Sequence, residues 1–443
     1  MKDAAPPSAL KKVLKPLHLW AIAVGLVISG EYFGWNYGWA VSGTVGFLVA
    51  TLLITVLYVT FIFSFTELTT AIPHAGGPFA YAHRAMGPVG GFVAGYATLV
   101  EFLFAPPAIA FALGSYVHFL YPSVPVLATA LGSYVLFIGI NLLGIKESAL
   151  FSLVVTLLAV AELLVFMGLV APHFKASNFL ADPMPFGAAG VFAALPFAIW
   201  FYLAIEGVAM VAEEVQDPQR TIPIGYTYGM LTLVVLALGV MVLTGGVTNW
   251  HRLSAIDYPL PEALSYALGK SSPWTKVFAS IGLFGLVASF HGTIIGYSRQ
   301  VFALARSGYL PSFLARVNPR FQTPHWALVA GGVVGCLSLL TGTTDKLIVL
   351  SVLGAVVMYL VSLVSLFVLR WKEPELLRPF VTPFYPWFPL VATVLSVVSL
   401  GAIVYYNWLL SLVFFVGLGA LLGLYMLLGL AKNDAAMSAQ NGS

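Results

Sequence analysis

Twelve apolar stretches, most of them near or above the roughly 20 residues that a helix needs to cross a bilayer, fill most of this 443-residue chain. They lie at about residues 19–42, 44–71, 88–118, 125–143, 149–171, 188–213, 223–247, 276–304, 326–342, 346–369, 387–405 and 408–430. Only 8% of the residues are charged and 60% are hydrophobic, whereas soluble domains carry about 25% charged residues. The pattern predicts an all-α membrane protein with twelve transmembrane helices in one polytopic domain.

Positive charge in short loops fixes orientation, because it stays on the cytoplasmic side. With the N-terminus inside, fifteen of the twenty Lys and Arg residues fall on that side, Lys2, Lys146 and Lys432 among them, and five on the other. Both termini are therefore expected to be cytoplasmic, which requires an even number of spans. Residues 1–16 and 431–443 read as tails flanking a single domain at 17–430. The basic N-terminal segment runs into a helix carrying Glu31 without a small-residue cleavage pattern, so no cleaved signal peptide is expected.

These features exclude several classes. The net charge of +3 is the topology signal, and no basic stripe for nucleic acid exists outside the loops. The longest loops, 172–187 and 248–275, are too short for an enzyme domain, although a short surface helix is expected near Glu262 to Leu268. Gly269-Lys270-Ser271 lacks the upstream glycine of a phosphate loop. Cys336 is alone, so it builds neither a disulfide nor a thiolate metal site. No His-Glu-x-x-His set occurs. No cofactor or metal is expected.

Glu31 and Glu206 interrupt apolar runs beside glycines, in Ser29-Gly30-Glu31-Tyr32-Phe33-Gly34 and Ile205-Glu206-Gly207. A carboxylate at bilayer depth costs a few kcal/mol, so such positions point to a buried polar site. The two lie 175 residues apart, and each opens a block of five helices. Five is odd, so the second block (188–369) enters the membrane inverted relative to the first (17–171), with two more helices at 387–430. Paired interruptions in inverted repeats point to a transporter whose substrate sits at the midplane.

Three further motifs extend the pattern: Glu67-Leu68-x-x-x-Ile72-Pro73-x-x-Gly76-Gly77-x-x-x-Tyr81, Asp217-Pro218-x-Arg220-x-Ile222-Pro223, and Ala305-Arg306-x-Gly308-x-Leu310-Pro311. With them the chain resembles the amino acid–polyamine–organocation transporters, which have the LeuT-like 5+5 inverted repeat with broken first and sixth helices. Within that group Ile28 to Asn36, Glu101-Phe102-x-Phe104-Ala105-Pro106-Pro107, and Ala204 to Glu214 are similar to bacterial ethanolamine permeases. The resemblance implies a secondary active transporter of the bacterial cytoplasmic membrane that imports a small organic amine, ethanolamine above others, by alternating access. Protons and the lipid bilayer are its further partners.

Amino-acid carriers of this fold receive the substrate carboxylate on bare amides of a glycine-rich break. By the resemblance Glu31 replaces a glycine there, and a fixed negative charge repels a carboxylate and attracts an ammonium. Alternatively Glu31 is a structural acceptor for the unwound amides. Ser29, Gly30 and Tyr32 complete that segment. Glu101, midway along the third helix, faces substrate by the resemblance, or is protonated and bonded to a neighbour. Glu206 serves as ligand, proton carrier or gate. Three close carboxylates cannot all be ionised around one monovalent cation, so at least one holds a proton, and Glu206 is the expected carrier.

Trp200 and Tyr202 offer aromatic faces to an ammonium, worth about 0.5–2 kcal/mol, or simply pack. His291, midway along the eighth helix, could accept a hydrogen bond from an amino alcohol, relay a proton or join two helices. Glu162 is a second candidate for proton coupling. Some proton-driven relatives carry a lysine in this fifth helix, whereas Ala159 occupies the matching place here. Arg84, Arg220 and Arg299 are expected to close the cytoplasmic ends through Glu67, Glu213, Glu214 or Asp217. A proton-coupled amino acid or polyamine permease, and an amine-conducting channel, are the competing readings.

Overall fold

The computed structural model describes residues 12–74, 76–144 and 149–427. The two tails beyond these bounds, with Lys2, Lys11 and Lys432, and the loop residue Lys146, lie outside the described residues. Among the described residues the chain is helical throughout. Its one extended pairing is a parallel bridge between Leu14 and Val215.

The apolar runs become helices, with boundaries set by glycine and proline. The first run forms α1 (Pro16–Val27) and a single turn, α2 (Ser29–Tyr32). Non-helical residues 33–36 follow, and then α3 (Tyr37–Ala71). Gly43, at φ 68°, bends α3 where the first and second runs were expected to be separate. A left-handed φ costs glycine little, because it has no Cβ to clash. Gly87, at φ 75°, likewise joins a short helix to the third run within α4 (Pro78–Leu120). Next come α5 (Val126–Leu142), α6 (Ala149–Val170) and a one-turn α7 (Ala176–Phe179).

The sixth run divides as expected. Helix α8 (Gly187–Trp200) stops, Ala204 takes a left-handed φ of 75°, and a 3-10 segment covers Ile205–Glu214. Helix α9 (Pro218–Val247) follows, then α10 (Pro259–Leu268), the short surface helix expected near Glu262. The chain ends with α11 (Pro273–Arg306), α12 (His325–Thr341), α13 (Thr344–Lys372), α14 (Trp387–Tyr406) and α15 (Trp408–Leu427).

Nine helices among the described residues are long and apolar enough to cross a membrane, and α1, α5 and α12 are shorter apolar helices. In α4 and α13, 78% of the most apolar window is buried, against 17% in α15. The first two therefore stand at the centre and α15 at the periphery. Helix α13 packs along α4, α3 along α8, and α1 against α9, α6 and α11.

Candidate functional site

The two interruptions lean directly on each other. A Cβ on Gly30 would lie 2.4 Å from the Trp200 carbonyl oxygen, so only glycine lets the backbones come this close. Trp200 Nε1 donates to the Phe33 carbonyl at 3.0 Å and Trp35 Nε1 to the Glu31 carbonyl at 3.1 Å. These bonds satisfy carbonyls that the lost helix ladder leaves open. The amides are also occupied: Glu31 N–H bonds Ile28 O, Phe33 N–H bonds Ser29 O, and Gly34 N–H bonds Asn36 Oδ1.

Glu31 is fully buried at this junction, and neither carboxyl oxygen meets a donor. Its charge bears on the Tyr202 phenol, whose hydroxyl bonds Thr55 Oγ1 at 2.7 Å. Glu101 is also fully buried, and its oxygens likewise meet no donor. Helix α13 sets its position, because Gly354 lies against the Glu101 backbone and Ser351 Oγ donates to the Glu101 carbonyl at 2.7 Å.

Glu206, the third fully buried carboxyl, interacts electrostatically with Glu101. Its Oε2 accepts from the Tyr359 hydroxyl at 3.4 Å, and that hydroxyl bonds Tyr58 at 2.7 Å. Among the described residues no cationic side chain pairs with Glu31, Glu101 or Glu206. Three acidic groups therefore surround the paired interruptions without a counter-ion.

A second cluster forms around Tyr32 of the first interruption. The Tyr32 hydroxyl donates to Glu162 Oε2 at 2.7 Å and reaches the Ala159 carbonyl at 3.3 Å. Tyr116 donates to the Tyr32 carbonyl at 3.2 Å, and Gly285 of α11 packs on the Tyr32 ring. Tyr32 thus anchors its segment to α6. Ser29 Oγ meets Ser289 Oγ at 2.8 Å, and Ser289 also donates to Leu26 O. His291 lies elsewhere, its ring 5.6 Å from that of Phe137 on α5. Trp200 turns its ring edge-on to Phe33.

Sequence reasoning missed Tyr58, Tyr359 and Ser289. The only signal for them was a hydroxyl within an apolar run, which many other positions share.

At the Arg-rich end of the bundle, Glu67 is 1% exposed and holds two arginines instead of the expected partner. Arg370 binds it through two nitrogens at 2.8 and 2.6 Å, and Arg378 approaches to 3.2 Å. Thr382 adds its amide and hydroxyl, both at 2.7 Å. Arg84 pairs with Glu373, which leaves Arg299 with Glu214 at 3.6 Å as the pairing nearest to expectation. Among the described residues the Arg220 side chain pairs with no acidic group, and its backbone N–H bonds Asp217 O.

At the opposite end, Asp257 links three elements. Its oxygens accept from Tyr37 at 2.7 Å and from Thr344 at 3.0 Å. Burial, aided by the nearby Asp345 charge and opposed by the two hydroxyls, pushes its carboxyl up to about 6. Asn36 fastens the same loop, donating to the carbonyls of Leu253 and Ile256.

Comparison with known proteins places this geometry in context. The family described as amino acid permease matches residues 14–431. An uncharacterized transporter of Rhizobium meliloti (strain 1021) is 30% identical over 89% of this chain and 87% of its own length. The methylthioribose transporter of Bacillus subtilis (strain 168) is 27% identical over 81% of each chain. The low-affinity putrescine importer PlaP of Escherichia coli (strain K12) is 25% identical over 71% of this chain and 72% of its own.

Proposed function

The chain belongs to the amino acid permease family, and from that premise we propose that it is a secondary active transporter importing a small organic amine cation, ethanolamine above others. The family and its relatives are multi-pass membrane transporters and not enzymes. Our reading arranges the helices as twelve spans in a LeuT-like 5+5 inverted repeat over 17–171 and 188–369, with two added helices at 387–430. Both tails face the cytoplasm and the protein resides in the bacterial inner membrane.

One observation carries the amine assignment: Glu31, fully buried at the junction of the interruptions, has no donor and no cation at either oxygen. An ionised carboxylate in that state is unstable until a cation or a proton reaches it. The amides of Glu31, Phe33 and Gly34 are already bonded within the chain, which argues against a carboxylate ligand there. An ammonium satisfies the acid, and the aromatic face of Tyr202, whose phenol the Glu31 charge reaches, adds attraction for it.

Alternating access then moves the α1 and Ile205–Glu214 segments around the cation. An inside-negative potential favours entry by about 2.3 kcal/mol per 100 mV for one charge. A coupled proton is carried by the Glu101–Glu206 pair or by Glu162. Glu67, Arg84 and Arg299, each in an ion pair, belong to the cytoplasmic closure.

A polyamine or amino acid permease is the second reading. Glu101 and Glu206 favour its polyamine form, because a second ammonium would find acidic partners there. A thermal-shift panel of ethanolamine, choline, methylamine, putrescine and amino acids separates the two, since a ligand bound only by the folded state raises its apparent stability. Ethanolamine is expected to give the largest shift. Putrescine or a zwitterionic amino acid in first place would establish the second reading. Counterflow of labelled amine in liposomes separates carrier from channel, because only a carrier exchanges label against unlabelled cargo.

A further inference from the structure

We propose that Glu101 and Glu206 together hold one exchangeable proton, that it resides on Glu101 and is donated to Glu206, and that an arriving ammonium expels it. The inference rests on the amine-transport reading and deepens it.

Hydrogen-bond supply assigns the two carboxyls their roles. Two electrostatically interacting carboxylates within a dehydrated site cannot both stay ionised, so the pair shares a proton. Glu206 already accepts the Tyr359 hydroxyl, which is itself held by Tyr58. Donation to the charged form favours that form, so the negative charge belongs on Glu206.

No side-chain donor reaches either Glu101 oxygen or Glu206 Oε1, and the Ala204 backbone N–H bears on both carboxyls alike. A proton on Glu101 supplies the missing donor to that oxygen and satisfies both groups with a single O–H. The titratable groups facing Glu101 are Glu206 beside the second interruption, Tyr58 on α3 and Tyr359 on α13. None of them brings positive charge.

An ammonium held by Glu31 at the junction beside this pair changes the balance, because its positive charge lets both Glu101 and Glu206 ionise. The Glu101 O–H bond breaks, its electron pair stays on the carboxylate, and the proton passes to a water molecule or buffer base. Amine binding and proton release are thus coupled. This differs from the sequence expectation, which put the proton on Glu206.

Two measurements test the assignment. Infrared difference spectra of the unliganded protein should show loss of a protonated-carboxyl band in Glu101→Gln and loss of a carboxylate band in Glu206→Gln. The reverse pattern would overturn it. Adding ethanolamine to the weakly buffered wild-type protein in detergent should release about one proton per bound amine, read by an indicator dye. Thermal stabilisation without proton release would sink the inference and leave the transport reading standing. Absence of stabilisation by any amine would sink the transport reading, while the infrared bands would still decide where the proton resides.

Discussion

Gly30 and Trp200 touch where the two interruptions meet: a Cβ at residue 30 would stand 2.4 Å from the Trp200 carbonyl oxygen. The contact is backbone against backbone, so no side-chain rotation relieves it. Gly30→Ala is expected to destabilise the protein by about 1–3 kcal/mol, the usual range for overpacking. The drop in apparent melting temperature of purified protein checks this, and an unchanged value would mean that the two interruptions do not pack this closely.

Tyr32 and Glu162 give a second test. Removing the phenol hydroxyl leaves a buried carboxyl without its donor, which costs about 1–3 kcal/mol. Tyr32→Phe should therefore lower stability, and adding Glu162→Leu should recover part of the loss. A double-mutant cycle measures the coupling, and strictly additive effects would contradict the hydrogen bond.

Glu67 pairs with two arginines, Arg370 and Arg378, whose side chains are 20% and 12% exposed. Breaking a buried pair by removing one partner typically costs about 3–5 kcal/mol, because the other charge remains. Glu67→Ala should fall near the lower end of that range, since the guanidiniums retain some water. Chemical denaturation followed by size-exclusion chromatography would show it.

Much of the architecture was legible because bilayer length and glycine punctuation act locally. The positions of Gly30 and Gly34 near the first interruption, and the surface helix near Glu262, follow from short windows of sequence. Gly43 and Gly87 were not read as bends within continuous helices, because a glycine between apolar runs looks the same whether a chain turns or ends. Partners far apart in sequence were beyond reach. Glu67 meets Arg370 across 303 positions and Glu206 meets Tyr359 across 153. On α11 the conspicuous residue was His291, yet Ser289 touches the first interruption. Two residues is about 200° of helical turn, so these side chains face nearly opposite ways.

Asp257 makes one contact sensitive to pH. Its carboxyl titrates at about 6 in the folded protein, above its value of about 3.9 in an unfolded chain. Folding therefore takes up a proton there. The resulting stabilisation is complete below the unfolded value and is lost as pH rises through about 6. Between pH 5 and 7 the wild type should lose roughly 1 kcal/mol that Asp257→Asn does not lose. Parallel melting curves at the two pH values check this, and equal losses in both proteins would remove Asp257 from the account.

The central claim is that Glu31 waits without a counter-ion for an organic ammonium. Calorimetric titration of ethanolamine into wild type and Glu31→Gln tests it most directly. Losing one partner of a buried charge pair costs about 2–5 kcal/mol, so the variant, still folded by its melting curve, should bind at least tenfold more weakly. Equal affinity in the two proteins would contradict the account.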